Sequence, residues 1–136
     1  MFVPNEVKMA YVIGCLMAGL SFLLNKLLLR FVGIKAVISY SPVVEELTKT
    51  LCSYYLAADI LVTHIVFGVL EAGYDWYTSA REERGKWAAL GSIGGHSLFG
   101  ALTVMGLAAS GSVWMAILGA SCVHVIWNVT LIRVSS

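Results

Sequence analysis

The sequence predicts an all-α fold, a polytopic bundle of about five transmembrane helices forming a single domain over residues 1–136. Two observations predict it. Hydrophobic residues fill 59% of the chain and charged ones only 12%, far from a soluble globular composition. Five apolar stretches, about 8 to 25, 34 to 58, 60 to 78, 87 to 107 and 112 to 132, each approach the ~20 residues a helix needs to cross a bilayer core. The formal charge of +1, with no charge run longer than Arg81-Glu82-Glu83-Arg84, leaves no basis for a nucleic-acid partner. Cys15, Cys52 and Cys122 fall in apolar stretches without CxxC spacing and read as small packing residues.

Span 1 carries no ionisable group from Met9 to Leu24 and no cleavage site followed by a soluble domain, so it reads as a retained scaffold helix. Span 2 contains Ser41-Pro42-Val43-Val44-Glu45-Glu46-Leu47-Thr48-Lys49. Pro42 predicts a kink, or alternatively a short re-entrant helix with Ser41 as N-cap and Pro42 at its first position. Each charge at membrane depth costs about 2.5–3.5 kcal/mol on insertion scales. Lys49 offsets part of that as a structural ion pair, reaching Glu46 at i,i+3 and Glu45 at i,i+4. Span 3 holds His64, Phe67, Glu71 and Asp75. His64, in the outer half, reads as an interfacial or packing residue. Asp75 lies beside Tyr74, Trp76 and Tyr77, a boundary cluster, and is expected to be solvated or paired with Arg81. Span 4 sets His96 among Gly91, Gly94, Gly95 and Gly100, which permit close helix approach and leave room for a substrate backbone. Span 5 brings His124 and Asn128.

Basic residues set the expected orientation. With five spans, Lys26, Arg30, Lys35, Arg81, Arg84, Lys86 and Arg133 share one side, and Lys8 stands alone on the other. The positive-inside rule then puts the N-terminus outside and the C-terminus in the cytoplasm. Glu45 lies ten residues from Lys35, Glu71 ten from Arg81, His96 ten from Lys86 and His124 nine from Arg133. Each therefore sits about 15 Å from the basic side at the helical rise. Four ionisable groups on four spans share one layer, the pattern of a site built across helices.

The residue types in that layer suit hydrolysis. No Gly-x-Ser-x-Gly elbow, HExxH, GxGD or Walker pattern occurs, so serine, thiol and ATP-driven mechanisms have no signature. A desolvated glutamate is a competent general base near neutrality. His124 and Asn128, at i,i+4, supply an imidazole and an amide N–H for an oxyanion. The same layer would alternatively hold a divalent metal such as zinc through Glu45, Glu71, His96 and His124. Sequence leaves both routes open.

Glu45-Glu46-x-x-Lys49, Phe67-x-x-x-Glu71, the lone His96 and His124-x-x-x-Asn128 together resemble the motif series of the PrsW family of intramembrane proteases. The wider clan holds the CAAX-processing and bacteriocin-immunity proteases. The resemblance covers roughly residues 40 to 130. It implies an intramembrane endopeptidase acting on a membrane-protein or lipidated-peptide substrate. In it Glu45 activates water, Glu46 and Glu71 support it or bind metal, His124 and Asn128 steady the oxyanion, and His96 completes the polar site. Asn128 stands where many PrsW relatives carry an acid, which favours the oxyanion role. A single span before the first motif implies that lateral gating helices are missing or come from a second copy in a homo-oligomer. Two other classes share these residue types: a proton- or cation-coupled transporter, and a non-catalytic scaffold subunit like the presenilin-complex subunit that resembles this clan.

Overall fold

The computed structural model describes residues 3–78 and 83–135, and the backbone alone at 34–37, 83–84 and 132–135. Every element is an α-helix, and no strand occurs among the described residues. In chain order they are α1 (Asn5–Phe31), α2 (Ile34–Tyr55), α3 (Ile60–Thr78), α4 (Glu83–Ser110) and α5 (Val113–Ser135). Three segments are long and apolar enough to cross a membrane: Asn5–Phe31, Gly85–Ser110 and Val113–Leu131. The carboxylates of the layer lie on the other two helices.

Local chemistry explains the boundaries. Gly33, at φ +97°, adopts a backbone that side chains oppose and so separates α1 from α2. Because α1 continues to Phe31, Lys26 and Arg30 sit on its last turns instead of in a loop. α2 ends at Tyr55, short of the expected residue 58, because Ala57 turns to φ 50° and Asp59 opens the next helix. Asp59 Oδ1 accepts the Val62 N–H at 2.9 Å, an N-cap for α3. Gly111, at φ +65°, donates its N–H to the Leu107 carbonyl and closes α4. Ser112 Oγ then accepts the Met115 N–H at 3.4 Å to start α5.

Pro42 lies inside α2, so the alternative of a helix beginning there is corrected. Proline withholds an N–H from the carbonyl four residues back, but the helix continues through it. Ser41, instead of capping, turns its hydroxyl to side chains of the interior.

α3 and α4 form the most extensive helix pair, α1 packs on α2 and α3, and α5 packs on α2 and α4. The interior is unusually polar for so apolar a chain. Its apolar cluster is small, Ala10, Ile13 and Ala58 with Met17, Cys52 and Val62 against them. The largest fully buried side chains include Lys49, Glu46, His64 and His96. Leu16, Phe31, Trp87, Met105 and Trp114 point outward. That inversion suits lipid, where apolar surface needs no burial and polar groups face inward.

Two glycines make the α3–α4 contact possible. A Cβ at Gly68 would lie 2.8 Å from His96 Cβ, and one at Gly100 would lie 2.8 Å from His64 Cβ. Gly100→Ala is therefore expected to cost about 1–3 kcal/mol through overpacking. Gly119→Ala, whose Cβ meets nothing within 4 Å, should change stability by no more than about 0.5 kcal/mol. Melting both variants in detergent checks this, and equal melting temperatures would contradict the close approach at Gly100.

Candidate active site

Glu46, Lys49, Thr50 and Ser53 follow helical spacing along one face of α2, and all four are fully buried. Glu46 is their centre. Its Oε1 accepts from Lys49 Nζ at 2.9 Å and meets His124 Nδ1 at 3.0 Å, while Oε2 meets His64 Nε2 at 2.9 Å. One carboxylate thus joins α2, α3 and α5.

His64 is a correction to the sequence reading, which set it aside as interfacial or packing. It is fully buried, and its Nδ1–H donates to the Ile60 carbonyl at 2.9 Å. A carbonyl only accepts, so the bond from Nε2 to Glu46 needs a further proton, carried by either partner. His64, Phe67, Gly68 and Glu71 share helical spacing on α3, which placed His64 on the site's face of that helix.

Lys49 reaches a second partner. Its Nζ lies 3.0 Å from His96 Nδ1 and 4.0 Å from the centre of the Phe67 ring. An ammonium only donates, so His96 accepts at Nδ1 and carries its proton on Nε2. That Nε2–H donates to Glu71 Oε2 at 2.6 Å, a short hydrogen bond. Aromatic edges fix the imidazoles: His96 abuts Phe67 at 4.7 Å and His124 at 5.0 Å, and Phe99 stacks on His124 at 4.2 Å.

Glu45 is held from the opposite side, by α1. Its Oε1 accepts from Ser21 Oγ at 2.6 Å and lies 2.8 Å from Ser41 Oγ and 3.4 Å from Asn25 Nδ2. Ser41 also bonds Asn25 Oδ1. The three contacts to Glu45 all fall on Oε1 and leave Oε2 out of this cluster. Span 1 is therefore more than the scaffold expected of it. Uncharged Ser21 and Asn25 gave the sequence reading no signal beyond their i,i+4 spacing.

Glu45, His96 and His124 each offer one ligand atom, all within 4.8 Å of one another. As a metal set they fit poorly. Both His96 nitrogens are engaged, with the Lys49 ammonium 3.0 Å from one of them, so a cation would have to break a bond and sit beside a like charge. A water asks less of the site, since hydrogen bonds to Glu45 and His124, whose atoms lie within 4.8 Å of each other, would hold it without His96.

A cavity of about 240 Å³ opens on the other side of the imidazoles, lined by Glu71, Asp75, Ser92, His96, His124 and Asn128. Gly91 and Gly95 floor it, whereas His64 fills the space at Gly100. Glu45 lines a separate cavity of about 120 Å³ toward α1. Asp75 accepts from Ser92 Oγ at 2.7 Å, and its expected partner Arg81 lies outside the described residues. Asn128, half-buried, follows His124 by one turn into the larger cavity.

Removing the central carboxylate should strand Lys49 and its histidine partners. Glu46→Ala is expected to cost about 3–5 kcal/mol, the penalty for breaking a buried ion pair. Ser21→Ala, which removes one hydrogen bond to Glu45, should cost about 1 kcal/mol. Denaturation of both variants in one detergent checks the ranking, and a milder Glu46→Ala would deny that carboxylate its central place. No family model matches the chain, and no characterised protein or solved structure matches it.

Proposed function

We propose that this chain is an intramembrane endopeptidase of the PrsW type, crossing the membrane five times with its N-terminus outside and its C-terminus cytoplasmic. It hydrolyses a peptide bond of a membrane-protein or lipidated-peptide substrate. One observation carries the reading: Glu45, His96 and His124 are buried, with ligand atoms within 4.8 Å of one another, and the two histidines line a cavity with Glu71 and Asn128. A Glu45 oxygen and the remaining nitrogen of His124 would hold one water between them.

Glu45 takes a proton from that water as its oxygen attacks the carbonyl carbon. Ser21, Ser41 and Asn25 fix Oε1 and so aim Oε2. The substrate carbonyl enters by the larger cavity. His124, paired through Nδ1 with Glu46, presents Nε2 to it, and as imidazolium donates Nε2–H to the oxyanion. The Asn128 amide supplies a second donor. Water-excluding walls strengthen each of these interactions. The occupied nitrogens of His96 favour this route over a bound cation.

A second reading, a proton-coupled transporter, is favoured by the continuous chain His64–Glu46–Lys49–His96–Glu71. Those five side chains span about 10 Å of depth, from seven residues of α3 at the helical rise. Reconstitution in proteoliposomes separates the two. The expected outcome is cleavage of membrane peptides by the wild type, with Glu45→Gln losing about 10²–10⁴-fold in rate at an unchanged melting temperature. Proton flux without any cleavage would support the transporter, and a stability loss in Glu45→Gln with an inactive wild type would support a scaffold.

A further inference from the structure

Resting on the hydrolytic reading, a second requirement follows from amide chemistry. An amide nitrogen leaves only when protonated, and Glu45, which does not line the cavity that would hold the peptide, is poorly placed to deliver that proton itself. We infer that Glu71 is the general acid that protonates the leaving nitrogen, and that Lys49 and His96 position it for that task.

The three glutamates differ in what they can reach. Glu46 is fully buried with both oxygens bonded. Glu45 is tethered toward α1 and does not line the larger cavity. Glu71 lines that cavity beside His124 and Asn128, and its side chain is 26% exposed. The imidazole of His96 links the base and this acid, bonded to Glu71 and within 4.8 Å of a Glu45 oxygen.

Lys49 and His96 orient the acid. The ammonium donates to Nδ1 of His96, which keeps the imidazole proton on Nε2 and aims it at Glu71 Oε2, 2.6 Å away. With Oε2 accepting, Oε1 is the oxygen that carries the transferable proton. Gly68 lets His96 sit close enough to α3 to make this bond. Lys49 and His96 touch neither reacting atom in this scheme and act through Glu71, as positioning residues.

The protons balance. Glu45 removes one from water as the new C–O bond forms, and Glu71 gives one to nitrogen as the C–N bond breaks. Peptide and water become an acid and an amine. Glu45 then holds one proton more and Glu71 one fewer, and proton exchange with water resets each before the next turnover.

The test compares a membrane peptide with the depsipeptide of the same sequence, in which an ester replaces the scissile amide. An alkoxide leaves with far less help from an acid than an amine does. Glu71→Gln is expected to slow peptide cleavage by about 10²-fold or more and ester cleavage by at least about tenfold less than that. Glu45→Gln should slow both alike, since both need the base. If Glu71→Gln does not fold, Glu71→Asp, which keeps the acid but withdraws it, should show the same peptide-selective loss. Equal losses on the two substrates would overturn the acid role while leaving the hydrolase reading intact. A wild type that cleaves neither would overturn the hydrolase reading itself, and this inference with it.

Discussion

A single carboxylate, Glu46, sets the terms for the rest of the bundle. Withdrawing it from water costs several kcal/mol, which only close, well-aimed partners offset. Those partners come from three places: Lys49 on its own helix, His64 on α3 and His124 on α5. Lys49 then extends the network to His96 on α4. Helix positions that satisfy Glu46 also bring Glu45, His96 and His124 together. The geometry of the proposed chemistry is thus a by-product of neutralising one buried charge, and rigidity at the site follows from the same bonds.

Electrostatics also bears on the choice between a metal and a bare water. Cation sites in proteins leave a lone pair free on each ligand and fix the ligand's other side with a second bond. His124 has that form, with Glu46 behind its Nδ1. His96 does not, because an ammonium already takes its Nδ1 lone pair and Glu71 its Nε2 proton. The Lys49 ammonium polarises that imidazole directly, donating to its Nδ1.

Much of this was legible in the sequence, and the illegible parts share a cause. Hydropathy alone puts span 3 at 60 to 78, the limits of α3, because a long apolar run marks itself without reference to any other helix. Helical spacing put Lys49 within reach of both Glu45 and Glu46, and the structure pairs it with Glu46 while Glu45 bonds Ser21, Ser41 and Asn25. What sequence could not show was partnership across distance. His64 looked like an ordinary histidine because its acceptor is eighteen residues away on another helix, and Ser21 looked inert because Glu45 is twenty-four residues on. Depth counting put His96 and Glu71 in one layer, but not that they bond through a particular nitrogen. The end of α2 was missed because a positive φ at Ala57 follows from the packing of two helices and not from its own residue type.

The distance along the chain between Glu46 and His124, 78 residues, bears on biosynthesis. At 5–20 residues per second, translation from one to the other takes about 4 to 16 s. During that interval the second helix has emerged with its carboxylates and lacks a counter-ion from the last. Glu46 meanwhile has Lys49 on its own helix, and the network around it closes only once α5 has been made.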